Sequence, residues 1–290
     1  MKKIFVIGSI NSDLVITAPY MPEQGETITG GGFFTAHGGK GANQATAAAR
    51  LGGQVVMCGA VGDDAFGAEY IESMKKDGID VSFVKKVKGV PTGTAVIVVT
   101  DGDNRIIVDR GANDSLCKSD VDGTLSKAES GDILLLQLEI PLETVEYAVN
   151  KANMIGMTVI LNPAPANRDA SVLMPLCDIV IPNETETEIF GGAAALEKRV
   201  RKTLIITLGS DGFKLCENGK TVHFNGHKVK AVDTTAAGDT FCGALAARLA
   251  AGENLDDAAE FANRAAAIAC TKMGAQPSVP TYGEVVDYKF

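Results

Sequence analysis

Short, continuous apolar runs recur along this chain, and most are followed by a stretch with helical periodicity. No other feature restricts its fold as much. "KIFVIGS" reads as a strand and "GANQATAAARLG" as a helix of small residues ending at Gly52. "QVVMCGAVG" is a strand, and "AFGAEYIESMKKDG" a helix closed by Gly78. "DILLLQLE", "TVILNP", "DIVIPN" and "TLIITLG" are further strands, with the helix "PLETVEYAVNKANMIG" between the first two. A strand apolar at every position needs cover on both faces, and helices between successive strands supply it. The pattern predicts a parallel sheet with helices on both sides.

Two segments break the rhythm. "TGTAVIVVTDGDNRIIVDRG" holds two runs around Asp101-Gly102-Asp103-Asn104, a hairpin signal. "DLVITAPYMPEQGETITGGGFFTAHGG" reads as two extended pieces around a turn. Neither fits a strand–helix–strand unit, so both are assigned to a small antiparallel sheet projecting from the main body. Residues 95 to 99, "AVIVV", are apolar on both faces. A sheet with one face in water should alternate, so the second face is expected to be covered, by another subunit's copy. "GFKLCENGKTVHF" is a third hairpin, with Asn218-Gly219 at its turn. At 290 residues and 46% hydrophobic, the chain is expected to form a single α/β domain over 1–290. The projecting strands lie within about 13–38 and 92–110.

Composition excludes several functions. The net charge of -9 and a pI near 4.9 argue against nucleic-acid partners. No apolar run reaches membrane-spanning length, and "MKKIFVIG" already reads as folded protein with no signal peptide before it. The six cysteines show no C-x-x-C pair and are expected to be buried free thiols in a cytoplasmic protein. His37, His223 and His227 lack metal-ligand spacing.

Ligands of open α/β sheets bind beyond the carboxyl ends of the strands, and polar residues collect there. Asn11-Ser12-Asp13, Glu139, Asn162, Asn183-Glu184-Thr185-Glu186 and Thr207, which runs into Gly209-Ser210-Asp211-Gly212, each follow an apolar run. Asn11 and Asp13, two apart in an extended segment, point the same way. An amide beside a carboxylate can grip adjacent sugar hydroxyls, although the same residues are common in turns. "GGKGAN", Gly38 to Asn43, is neither a P-loop nor G-x-G-x-x-G, since Gln44 stands where the last glycine would. It reads either as a helix-capping turn or as close backbone approach to a polar ligand. "NETE" reads equally as a solvated acidic helix start or as a metal–phosphate site.

"VDTTAAGDTFCGAL" is the most specific stretch. Phe241, Leu245 and Leu249 recur on one face of a helix, which puts Ala236, Ala237, Gly238 and Asp239 at its N-terminus. Unpaired N–H groups and the helix dipole favour an anion there. A bare phosphate site has no use for a carboxylate. A phosphoryl-transfer site needs one, to take the proton of the attacking hydroxyl. The simpler alternative for Asp239 is an N-cap, which leaves the preceding Ala-Ala-Gly and Asp233 unexplained.

"GSINSDLV", "GGKGANQA", "NPAPA", "PNETE", "ITLGSDG", "DTTAAGDTF" and "GAQPSVP" occur in the order seen in the ribokinase-like family of sugar and nucleoside kinases, which the chain resembles from end to end. The resemblance implies a Rossmann-like, mostly parallel sheet flanked by helices, with a small antiparallel β lid that serves as a homodimer interface. It implies ATP-dependent phosphorylation of D-ribose, with another pentose, deoxyribose or a nucleoside as alternative acceptors and a non-catalytic sugar-binding regulator as the contrasting reading. Asn11, Ser12, Asp13, Gly39, Lys40, Gly41, Ala42, Asn43 and Glu139 would hold the sugar. Asp239 would be the base, beside an anion hole of Ala236, Ala237 and Gly238. Asn183, Glu186, Thr207, Leu208, Gly209, Ser210, Asp211, Gly212 and Asn263 would serve ATP, with Glu186 acting on Mg2+. Asp233, Thr235, Ala269, Lys272, Gly274 and Ser278 would ring K+. The segment between Phe190 and Thr203 is shorter than in family members generally, which bears on the outer rim of the nucleotide site.

Overall fold

The computed structural model describes residues 1–100 and 103–290. The chain runs β1 (Lys3–Ile7), β2 (Asn11–Thr17), β3 (Gly31–Gly38), α1 (Lys40–Arg50), β4 (Gln54–Gly62), α2 (Ala65–Lys76) and β5 (Asp80–Val87). Then come β6 (Gly93–Thr100), β7 (Asp103–Asp109), α3 (Lys118–Leu125), β8 (Ile133–Leu136), α4 (Leu142–Ile155), β9 (Thr158–Leu161) and β10 (Ile179–Val180). The last part holds α5 (Glu184–Ile189), α6 (Ala193–Glu197), β11 (Thr203–Thr207), β12 (Phe213–Glu217), β13 (Lys220–Phe224), α7 (Ala237–Ala250), α8 (Leu255–Ala269) and α9 (Tyr282–Asp287).

The main sheet has the order β13-β12-β11-β10-β9-β8-β1-β4-β5. It is parallel from β5 to β11 and ends in the antiparallel hairpin β12–β13. The hairpin turns at Asn218 and Gly219, both at positive φ, the turn chemistry its sequence carries. β1 shows why the strands read as unbroken apolar runs. Ile4 and Val6 join the core beneath α1, α7 and α8, while Phe5 and Ile7 join the other core, beneath α3 and α4. All four are fully buried, each worth about 1.5–3 kcal/mol.

The second sheet has the order β3-β2-β6-β7. Its hairpins β2–β3 and β6–β7 are antiparallel, and the seam between them, β2 against β6, is parallel. Both seam strands leave parallel strands of the main sheet, β1 and β5, in the same direction. The Asp101-Gly102 part of the second hairpin's turn lies outside the described residues. Cys58, Cys177, Cys216 and Cys242 are buried free thiols as expected. Cys117 and Cys270 depart from that expectation: Cys117 is exposed at the start of α3, and Cys270 half-buried at the end of α8, where helix ends meet solvent. Among the described residues no helix is long and apolar enough to cross a membrane.

Candidate active site

The turn before α7 is built by Asp233, whose Oδ1 accepts from the N–H and hydroxyl of Thr235 at 2.9 and 2.6 Å. Ala236 then takes a left-handed conformation, φ 59°, and the helix begins at Ala237. The N–H of Ala237 folds back to the Thr234 carbonyl at 3.2 Å. Those of Ala236, Gly238 and Asp239 have no acceptor among the described residues. A Cβ on Gly238 would meet nothing within 4 Å, and Ala236 to Asp239 all line one open cavity. Asp239 is the third helical residue and does not cap the helix, which removes the alternative left open by its sequence position.

The Asp239 carboxylate is instead held by α1. Asn43 Nδ2 donates to Oδ2 at 3.0 Å, and Gln44 Nε2 donates to Oδ1 at 2.9 Å. The two helices meet closely enough for this because their contact is lined by small residues. A Cβ added at Gly243, one turn after Asp239, would lie 2.5 Å from the Gln44 carbonyl and 2.6 Å from Ala47 Cβ. Gly41 likewise abuts Gly8, with a would-be Cβ 2.6 Å from its carbonyl carbon, and Ala42 N–H donates to Ser9 O. Gly41 and Ala42 thereby seat α1 against the β1–β2 connection.

On the sugar side, Gly39 caps α1 with φ 85°, and a Cβ there would meet the Asn11 nitrogen at 2.7 Å. Of the two readings of "GGKGAN", the turn fits the helix-capping one, and the close backbone approach made by Gly39 is to the chain's own Ser9–Asn11 segment. Glu139 Oε2 accepts from Ser9 Oγ at 2.5 Å and from Lys40 N–H at 3.0 Å. Asn11 Oδ1 accepts from Asn113 Nδ2 at 2.8 Å, which leaves the Asn11 NH2 as the end free to meet a ligand. Asp13 is pushed up to about 7, first by burial and then by the charges of Glu139 and Asp239. Burial works against the Lys40 ammonium, but Asp239, Glu139 and Glu186 together outweigh it and raise its pKa. Ser12, between Asn11 and Asp13, faces the other way, into a separate cavity with His37 and Glu69.

On the other side of Asp239, a cavity of about 190 Å³ is lined by Lys40, Asn183, Glu186, Thr207, Gly238 and Asp239, among others. Asn183 and Glu186 form a reciprocal cap on α5 through Glu186 Oε2, so "NETE" is a helix start that also reaches the site. Burial raises the Glu186 pKa. A larger cavity of about 590 Å³ follows, lined by Gly209, Ser210, Asp211, Gly226, His227 and Asn263, among others. Leu208 and Gly212 shape its turn: Leu208 N–H donates to Gly212 O, and Gly212 sits at φ 91°, where a Cβ would strike Phe224 O. The short segment after Phe190 holds only α6, and residues 226–231 with α8 form the wall of this cavity.

Of the residues assigned to a monovalent ion, Asp233 and Gly274 are in contact: Asp233 Oδ2 accepts the Gly274 N–H at 2.9 Å. Thr235 joins them through Asp233. The Ala269 carbonyl accepts the Lys272 N–H, the Lys272 ammonium pairs with Glu284, and Ser278 Oγ donates to Ala275 O. A large cation held between these two segments would draw on oxygen ligands, their backbone carbonyls among them.

Several residues of this site were not singled out in the sequence. Gln44, Gln137, Gln276, Tyr70, Ser9 and Asn113 are all buried, and all hydrogen-bond to a site residue or to one another. The available signal was a polar side chain inside an apolar or small-residue run, such as Gln137 in "ILLLQLE".

An anion-accepting helix start, an oriented carboxylate beside it, a polar pocket under a β lid and a second cavity beyond define a phosphoryl-transfer enzyme for a small polyol. Residues 1–282 match the pfkB family carbohydrate kinases, and the chain belongs to that family. It is 43% identical to the ribokinase of Schizosaccharomyces pombe over 98% of this chain and 97% of that one. Among solved structures, ribokinase from Thermotoga maritima superposes with a TM-score of 0.90 at 38% identity, covering 99% of this chain and 98% of that one. Arabidopsis thaliana ribokinase, complexed with ribose and ATP, gives 0.87 at 32% identity, covering 98% and 97%.

Proposed function

We propose that this protein is a ribokinase-type kinase that transfers the γ-phosphoryl group of ATP to the primary hydroxyl of D-ribose, giving D-ribose 5-phosphate and ADP. The observation that carries this reading is the Asp239 carboxylate, oriented by two amides at the lip of a helix start with free N–H groups. The hydroxyl oxygen attacks the γ-phosphorus as the bond to the β–γ bridging oxygen breaks, and Asp239 takes the hydroxyl proton. The donors at the start of α7 meet the charge that develops on the transferred group. Asn11, Asp13, Lys40, Asn43 and Glu139 hold the sugar, and the cavity around Asn263 takes the nucleoside.

Mg2+ accompanying ATP neutralises phosphate charge. Glu186, whose Oε1 has no protein partner among the described residues, is the residue that would receive it or its water. K+ at the junction of residues 233–235 and 269–278 would organise the anion hole. We assign the protein to the cytoplasm, as a homodimer through the lid. An ADP-release assay across ribose, deoxyribose, other pentoses and nucleosides tests the reading. Highest kcat/KM with ribose is expected. ADP release with none of them would leave a sugar-binding regulator in place of an enzyme.

A further inference from the structure

The Asp239 carboxylate ends a chain of buried amides. Gln44 Nε2 donates to Asp239 Oδ1 at 2.9 Å and to Asn162 Oδ1 at 3.1 Å, and Gln44 Oε1 accepts from Gln137 Nε2 at 2.6 Å. Gln44 and Gln137 are fully buried. Gln137 Oε1, at the far end, has no partner among the described residues. It rests where a Cβ of Gly8 would be, 2.2 Å from that position.

A carboxylate only accepts, so it admits Gln44 in one orientation, with the NH2 forward. That leaves Gln44 Oε1 to the rear, where only a donor is tolerated, and Gln137 supplies it. Reversing either amide would set two oxygens against each other. The residue at Gly8 has to lack a side chain for Gln137 to fit. An apolar residue at 137 would leave the buried Gln44 oxygen without a donor and free Gln44 to turn.

We infer that Gln44 is a positioning residue for the phosphoryl-transfer step, and that Gln137 acts through it by fixing its orientation. Asn43 holds Asp239 Oδ2 and Gln44 holds Oδ1. With one N–H on each oxygen the plane of the carboxylate is set, and a free lone pair can face the sugar hydroxyl. Removing Gln44 frees the carboxylate to rotate, which lowers the fraction of bound sugar poised for proton transfer without removing a contact to sugar or ATP.

The inference rests on the kinase reading, and the test separates the two. Parent enzyme that turns over no sugar defeats that reading. Parent enzyme that works supplies the reference for Gln44→Met, which keeps volume and loses the donor. The expected result is a kcat lower by about 10–100-fold, the range for a hydrogen bond to a charged group, with the KM values for ribose and ATP within about twofold. Gln137→Met should lower kcat by a smaller factor in the parent and have no further effect in the Gln44→Met background, since it acts through Gln44. Parental kcat in a folded Gln44→Met, or equal loss from Gln137→Met in both backgrounds, overturns the inference. If Gln44→Met does not fold, Gln137→Met alone decides: lower kcat at constant KM supports it, and unchanged kcat overturns it.

Discussion

Asp233 Oδ2 accepts the backbone N–H of Gly274 at 2.9 Å, joining two loops that lie 41 residues apart in the chain. One loop runs into the start of α7 and the other follows α8, so this bond, together with those from the Val232 and Asp233 N–H groups to the Cys270 carbonyl, ties the anion hole to the segment assigned to K+. Burial works against the Asp233 carboxylate. The Thr235 hydroxyl and N–H with the Gly274 N–H together outweigh it and hold its pKa below 3.8. Its contribution to stability is therefore present above that value and lost as pH falls through the depressed one.

From this junction, turnover should be faster in potassium than in sodium at equal ionic strength. Asp233→Ala should lower kcat and reduce the difference, because it removes the side-chain tie to Gly274 and Thr235 and leaves only the backbone bonds to the Cys270 carbonyl. The measurement is kcat in potassium, sodium and tetramethylammonium chloride. Equal rates in all three with the parent enzyme would remove the cation from the account.

Asp239→Asn should lower kcat by about 10²–10⁴-fold, the usual cost of losing a general base. Ribose should still bind in calorimetry, since Asn11, Asp13, Lys40 and Glu139 remain. A variant with near-parental kcat would show that the proton goes elsewhere.

Asp13 offers a pH-dependent test. Its folded pKa of about 7 lies above the ordinary aspartate value of 3.8, so the folded state binds more protons than the unfolded state between those values. Stability contributed by this group therefore falls as pH rises through that window. Asp13→Asn keeps the neutral form at every pH. Its melting temperature should gain on the parent progressively from about pH 4 to pH 7 and level off above, while the KM for ribose rises steeply. A constant difference between the two melting curves across that range would refute the buried, charge-crowded environment assigned to Asp13.

The lid has two apolar faces with different partners. Asp13, Val15, Ile97 and Val99 line a cavity of about 510 Å³ shared with residues 231–235 and 273–275. Val98 points the opposite way, on the face that includes Leu14, Val96 and Ile107, of which Val96 and Ile107 are exposed. Val98→Asp should yield monomer in light scattering, because it puts an unpaired charge into the proposed interface. Ile97→Asp should stay dimeric and raise the KM for sugar. Two folded variants that both remain dimeric would place the interface elsewhere.

The sequence by itself determined the layers, the hairpins and the chemistry at the start of α7. Each of these rests on local physics: β1 is apolar on both faces, Asn218-Gly219 accepts positive φ, and the Ala-Ala-Gly-Asp run opens a helix with an apolar stripe. Only the tertiary structure decided how that chemistry is supported. Gln44 sits 195 residues from Asp239 in the chain and reads locally as an ordinary polar position on a helix. It becomes part of the site because Gly243 lets α1 and α7 close to backbone contact. The same holds for Ser12, which alternation turns away from the site, and for Ile97 and Val98, equally apolar in the sequence. Which face of a strand meets a ligand depends on what the rest of the fold sets against it, and periodicity carries no record of that.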